Sequence, residues 1–332
     1  MELFKGINQI RVPLSAAKNA GDVNVYIIEG AEGNLMIDSG WNMPECFNTL
    51  AQEMKNSGFA MKDITHIAVT HIHPDHVGLA GKIAEIANSQ IFMSETEYGL
   101  MDSRYSSPDG LLGQMTAFLK ANGVPDWELK MLSEASSAIR SFVSPIKSAN
   151  LVKAGDVISM PPFEFQVIIT PGHSPGHLCL YEPNKKYLFT GDHVLAESLP
   201  NISYHLQSGD NPLGDYVEAL SAMNEMDVRF VFPGHGSVFS GLGPKIDDII
   251  RLHRDQIRGI QKVMGVEIKN GYDVARAIPW TAGDEAVPYD KLEPIERRLA
   301  VLNTLAHLQY MVADGKGKKM AEGEKTVYYS GE

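Results

Sequence analysis

Between residues 70 and 76 the chain reads Thr70-His71-Ile72-His73-Pro74-Asp75-His76, three imidazoles and a carboxylate within six residues. Neutral imidazole nitrogens and a carboxylate oxygen are the ligand set of zinc or a similar borderline metal. Alternation lets His71 and His73 face one side of a loop while Asp75 and His76 reach the other, which suits two ions better than one. A polar loop that caps a helix would explain a lone histidine. It does not explain four titratable groups at this spacing, whose burial without a cation would leave polar and charged atoms unpaired.

The elements that must position these side chains are strands with ligands at their ends. Ile64-Thr65-His66-Ile67-Ala68-Val69 is a β-branched run that reads as a buried strand, and a helix is expected to open near Val77-Gly78. Three further stretches again place a candidate ligand after an apolar run, here directly behind a glycine. These are Thr170-Pro171-Gly172-His173-Ser174-Pro175-Gly176-His177, Phe189-Thr190-Gly191-Asp192 and Phe232-Pro233-Gly234-His235-Gly236. Upstream, Leu35-Met36-Ile37-Asp38-Ser39-Gly40 ends a strand on a carboxylate. A loop at the end of a rigid strand holds a ligand more precisely than a free loop, and the glycines allow close backbone approach.

Taken in order, these five motifs resemble those of the metallo-β-lactamase superfamily across residues 20 to 240. The resemblance implies an α+β fold, the four-layer αβ/βα sandwich of that superfamily. It implies that His71, His73 and His173 hold one metal, that Asp75, His76 and His235 hold a second, and that Asp192 bridges them. Zinc is the expected metal, with iron or manganese as alternatives for a mixed nitrogen and oxygen set. Asp38 and His177, with His66 as a further candidate, would fix imidazole tautomers from behind. A hydroxide between two divalent ions would attack, and Asp75 would shuttle the proton. The seven-ligand set is that of glyoxalase II, so hydrolysis of a thioester or ester of a small acyl substrate is the leading expectation. Lactone opening, with Tyr204 or His205 as substrate contacts, is the first alternative and nuclease action the second. A β-lactamase proper is disfavoured because those enzymes usually lack the bridging aspartate.

Length and composition frame this reading. At 332 residues and 36.4 kDa the chain can hold one large α/β domain and one small one. Residues 1–245 are expected to form the catalytic domain, with a helical insert at about 95–146 whose Phe118 and Trp127 would line an apolar wall of the pocket. Residues 246–332 pattern as three helices and a terminal hairpin, resembling the winged-helix appendage of some hydrolases of this superfamily. A net charge of −12 argues against a general nucleic-acid or anionic-membrane binder, so the appendage is read as a structural or dimerising cap. A small-molecule substrate is the expected partner, with a homodimer as an option. Two distant cysteines, Cys46 and Cys179, fit a reducing compartment. Neither a signal-like N-terminus nor a run of ~18 apolar residues is found, and a cytoplasmic protein is expected.

Overall fold

The computed structural model describes residues 1–14, 21–282 and 285–330. Seven strands run in chain order across the first sheet: β1 (Glu2–Phe4), β2 (Ile7–Pro13), β3 (Asp22–Gly30), β4 (Gly33–Ile37), β5 (Ile64–Ala68), β6 (Gln90–Ser94) and β7 (Asn150–Val152). Pairing is antiparallel from β1 to β4 and parallel from β4 to β7. The second sheet has the order β12-β11-β10-β9-β8, built from β8 (Val157–Met160), β9 (Phe163–Ile169), β10 (Leu178–Glu182), β11 (Tyr187–Gly191) and β12 (Phe230–Pro233). Only its β11–β12 pair is parallel.

Strands that are apolar on both faces need cover on both faces. In β3 every residue from Val23 to Ile28 is buried. Tyr26 and Ile28 point with Leu35 and Ile37 toward Phe165, Phe189 and Phe232 of the second sheet. Val25 and Ile27 point outward, into a cluster with Leu50, Met54 and Ile83 from α1 (Pro44–Asn56) and α3 (Ala80–Ala87). Between those helices α2 (Pro74–Val77) is a single turn that starts inside the His-rich stretch. On the far side α7 (Pro212–Met223) and α8 (Leu242–Met264) cover the second sheet through Tyr216, Leu220, Ile246 and Ile249. The result is the αβ/βα sandwich expected from the motifs.

The segment after β6 is helical, as its pattern indicates: α4 (Glu95–Met101) runs into a π turn at Asp102–Ser106, followed by α5 (Asp109–Ala121) and α6 (Asp126–Arg140). The C-terminal part holds α9 (Gly271–Ala277), a short hairpin of β13 (Trp280–Ala282) and β14 (Glu285–Val287), α10 (Pro294–Ala313) and a final hairpin of β15 (Gly317–Glu322) and β16 (Lys325–Ser330). Every residue of α10 from Ala300 to Leu308 is buried, because α6, α7, α8 and α9 all pack on it. A helix buried on all sides is a core helix, here with Asn303, Thr304 and His307 among its buried residues. Met115, Leu119, Leu129 and Leu132 of the insert share one hydrophobic cluster with Ile257, Val301, Leu305 and Met311. The two helical regions are thus packed into each other, and position 246 lies inside α8, whose start at Leu242 is set by Gly241 with φ +87°. No helix among the described residues is long and apolar enough to cross a membrane.

Candidate metal centre

Every candidate ligand lies just beyond the carboxyl end of a strand, residues 71–76 after β5, His173 after β9, Asp192 after β11 and His235 after β12, and Asp38 stands in the same place after β4. This is the edge at which sheets of this kind bind ligands. His71 Nε2 lies 3.0 Å from His73 Nδ1 and 3.2 Å from His173 Nε2. A second group forms where Asp75 Oδ2 stands 3.2 Å from His235 Nε2 and 3.6 Å from His76 Nε2. Asp192 Oδ2 faces both groups, at 3.4 Å from His76 Nε2, 3.5 Å from His235 Nε2 and 3.6 Å from His173 Nε2. The structure therefore brings all seven sequence-derived ligand candidates together.

The ring orientations are set from outside. His76 Nδ1 pairs with Asp38 Oδ2 at 2.8 Å, His173 Nδ1 with the Asn201 carbonyl at 2.9 Å and His235 Nδ1 with the Asp22 carbonyl at 2.8 Å. An acceptor at Nδ1 places the proton there and leaves the Nε2 lone pair pointing inward. Thr70 serves His71 in the same way: its hydroxyl is spent on Asp38 (2.9 Å), so its oxygen accepts from His71 Nδ1 at 3.0 Å. His177 Nε2 accepts the Asp192 amide N–H at 3.2 Å, which puts its proton on Nδ1 toward Thr170 Oγ1 at 2.8 Å. Asp38 and His177 thus stand directly behind ligand candidates. His66 does not; it lies on β5, stacked on Phe92.

The electrostatics divide the site. Burial, then neighbouring imidazoles, hold His71 well below the ordinary histidine range, and burial lowers His73 and His173 too. These are neutral lone-pair donors. Around His235 burial works the same way, but Asp192 and Asp75 outweigh it and lift the imidazole to about 10. Burial would raise the Asp75 carboxyl, yet His76 and His235 hold it at about 2. Two carboxylates thus create a demand for positive charge that protons or divalent cations can meet.

A metal fits what is left over. Both His76 Nε2 and Asp192 Oδ1 are buried without a hydrogen-bond partner among the described residues. Close approach is made possible by glycine. A Cβ on Gly234 would stand 2.5 Å from Asp192 Oδ1 and 2.7 Å from His76 Cε1, and one on Gly191 would stand 2.8 Å from His177 Nε2.

Several supports were not read from the sequence. Glu97 is 1 % exposed and its carboxylate ties two ligand loops together, accepting from Ile72 N (2.7 Å), Gly176 N (2.6 Å) and Ser174 Oγ (2.9 Å). Its signal was Ser94-Glu95-Thr96-Glu97, a capping-box spacing: Ser94 Oγ does accept Glu97 N, but the glutamate side chain turns to the loops instead of back to the cap. Tyr105 Oη donates to the Ile72 carbonyl at 2.6 Å, and Asn24 Nδ2 and Tyr26 Oη donate to the Pro233 carbonyl beside His235.

A cavity of about 340 Å³ opens over His73, Asp75 and His173. Its apolar wall is Trp41, Leu111, Met115, Leu299 and Leu302, and His205 reaches it as expected. Three other expected contacts do not. Trp127, in the first turn of α6, is 66 % exposed because Leu129 and Leu132 take the inward face. Phe118 lies one turn beyond Met115 and packs on Tyr204 with ring centroids 5.4 Å apart. Tyr204 thereby fills the core between clusters while its neighbours Ser203 and His205 face the cavity.

Fold and site together define a metal-dependent hydrolase built on strand-end histidines and aspartates. The chain belongs to the Metallo-beta-lactamase superfamily, whose profile matches residues 19–235. It is 26 % identical to the "Probable metallo-hydrolase YqjP" of Bacillus subtilis (strain 168), over 96 % of each chain. An "Atrochrysone carboxyl ACP thioesterase" of Aspergillus fumigatus is 24 % identical over 68 % of this chain and 40 % of its own length. The crystal structure of the metallo-beta-lactamase family protein TTHA1429 from Thermus thermophilus superposes with a TM-score of 0.85 at 22 % identity, covering 99 % of this chain and all of that one. That likeness in fold includes the C-terminal helices.

Proposed function

We propose that the protein is a binuclear hydrolase that cleaves a thioester or ester of a small acyl substrate. The observation that carries this reading is the cavity: it places an apolar wall of Leu111, Met115, Leu299 and Leu302 directly beside His73, Asp75 and His173. An acyl chain can be buried against that wall while its carbonyl lies over the ligand cluster. The thioesterase named above, a relative of this chain, supports the choice of bond. Two ions, with zinc the first choice, would be held by His71, His73 and His173 on one side and by Asp75, His76 and His235 on the other, with Asp192 shared. Bound there, such ions supply Lewis acidity toward the carbonyl and lower the pKa of water.

The chain's own residues do the rest. Asp38, Thr70 and the Asn201 and Asp22 carbonyls hold His76, His71, His173 and His235 in the tautomer that presents the lone pair. Glu97 keeps the 71–76 and 173–177 loops in register. Asp75, the carboxylate on the cavity wall, orients the attacking water and passes its proton to the departing sulfur or oxygen. The test is a panel of acyl thioesters, homoserine lactones and short RNA presented to the metal-loaded enzyme. Thioester or ester turnover should dominate and fall by about two orders of magnitude or more in Asp75→Ala with the circular dichroism spectrum unchanged. Faster turnover of lactone or RNA would overturn the reading.

A further inference from the structure

The cavity holds a second chemistry that ester cleavage does not use. Three arginines open into it from three elements: Arg104 from the π turn after α4, Arg140 from the last turn of α6 and Arg298 from the first half of α10. In a chain with 29 basic and 41 acidic side chains this clustering runs against the average. Four guanidiniums elsewhere do sit beside carboxylates: Arg251 with Asp248, Arg258 with Asp255, Arg276 with Asp290 and Arg297 with Glu128. In the cavity no carboxylate lies within ion-pair distance of Arg104, Arg140 or Arg298 among the described residues. Arg104 has only neutral partners, donating from Nε to Gln207 Oε1 at 2.9 Å and lying 3.2 Å from His205 Nε2. Gln207 is itself fixed by donation to Ser103 Oγ at 2.9 Å.

The arrangement is costly without a ligand. Burial, together with Arg104 and Arg140, pulls the Arg298 guanidinium down to about 10, and burial also lowers Arg140 against the opposing pull of the Asp109 carboxylate. Burial, then Arg104 and Arg298, hold His205 well below the ordinary histidine range, and His73 and His173 push it the same way, so this imidazole stands between two of the arginines and the first ligand group. Half-buried cations that repel one another are tolerated where an anion completes them, and the planar fork of arginine matches carboxylate and phosphate oxygens.

We propose that this recess is an oxyanion subsite: the substrate carries a carboxylate or phosphate that Arg104, Arg140 and Arg298 hold while the scissile carbonyl lies over the ligand cluster. The placement of that carbonyl rests on the hydrolase reading above; the anion recess does not. The oxyanion has two sources in such a substrate, a carboxylate at the far end of the acyl chain or a phosphate on the thiol arm.

Two measurements on the metal-loaded full chain separate these questions. The first is turnover of matched thioesters: glutaryl against pentanoyl on N-acetylcysteamine, and pentanoyl on 4′-phosphopantetheine against pentanoyl on pantetheine. One of the two anionic substrates should exceed its neutral partner by about thirtyfold in kcat/KM, the scale of a charge-assisted contact. That ratio should fall to about threefold or less in Arg298→Ala and in Arg140→Ala, recover in part in Arg298→Lys and stay intact in Arg251→Ala on the surface of α8. The second is calorimetric titration with glutarate and with inorganic phosphate, in which binding to wild type should weaken at least tenfold in the same recess variants. Hydrolysis with ratios near one, or ratios unchanged in the variants, overturns the subsite and leaves the hydrolase reading standing. Absence of thioester turnover with glutarate or phosphate binding lost in Arg298→Ala or Arg140→Ala does the reverse. Equal titrations in wild type and both variants overturn the subsite whatever is hydrolysed.

Discussion

Replacing Glu97 by glutamine tests whether a buried carboxylate, rather than the ligands alone, holds the centre together. In the native site one carboxylate oxygen accepts both Gly176 N and Ser174 Oγ, and the other accepts Ile72 N. The glutamine amide has the same shape but only one acceptor oxygen. If that oxygen keeps the first pair, its NH2 group confronts the Ile72 N–H, donor against donor. An orphaned buried N–H costs about 1–3 kcal/mol, and loss of charge assistance on the two surviving bonds adds about 1 kcal/mol. The expected destabilisation is therefore about 2–4 kcal/mol, which for a chain of this length lowers Tm by about 3–6 °C. Ile72 joins His71 to His73, so the displaced peptide also moves the first triad. Loss of a group that orients ligands costs about 10- to 100-fold in activity or metal affinity. Calorimetry and kcat/KM on metal-loaded Glu97→Gln read both effects, with Glu95→Gln, exposed on the same turn, as the control. A Glu97→Gln protein within 1 °C and twofold of wild type would show that the clamp is dispensable.

Metal analysis by mass spectrometry should find two ions per chain in the wild type and about one or fewer in Asp192→Ala, since Asp192 Oδ2 faces both groups; one ion in the wild type would refute the partition. Trp127→Ala should leave acyl-chain selectivity untouched because the ring is in solvent, whereas Met115→Ala should flatten it; each acyl carbon buried against the intact wall is worth ~0.8 kcal/mol, about fourfold in kcat/KM. The His253–His307 pair between α8 and α10 is held neutral by burial, with pKa values of about 3 and about 4. The unfolded chain binds these two protons near pH 6.5 and the native state does not, so stability is lost as pH falls from 6.5 toward 4, by up to ~1.4 kcal/mol per pH unit for each ring. Urea midpoints at pH 7.5 and 5 should show this, and His253→Phe should remove about half of the pair's share; an identical slope in the variant would refute it.

The ligand candidates were legible because metal binding would demand particular side chains at fixed places. Imidazole and carboxylate cannot be exchanged for other types, and a strand followed by a tight turn leaves a short-range pattern around His71, with a glycine marking the turn at His173, Asp192 and His235. The supports behind them were legible only where they are side chains. Asp38 and His177 could be read from their motifs, but the acceptors for His173 and His235 are the main-chain carbonyls of Asn201 and Asp22, which every residue type offers. The cavity wall was harder still. Helical periodicity says which face of α5 is apolar, yet Leu111, Met115 and Phe118 share that face and only the position of Tyr204 decides that the first two meet the cavity while the third does not.

The arginines carry this point furthest. Arg104, Arg140 and Arg298 are 194 residues apart at their extremes, and in sequence each reads as a solvated helix charge. What joins them is α10, whose buried length is gripped by α6, α7, α8 and α9. The same helix that shares its core with the insert supplies Leu299 and Leu302 to the apolar wall and Arg298 to the recess. A C-terminal part that merely capped the fold would place no side chains beside His73 and His173. Because it does, the region that sequence pattern separates from the catalytic domain is the one that shapes what the candidate metal centre can receive, and its packing against α6 decides where an anion would sit relative to the bond to be broken.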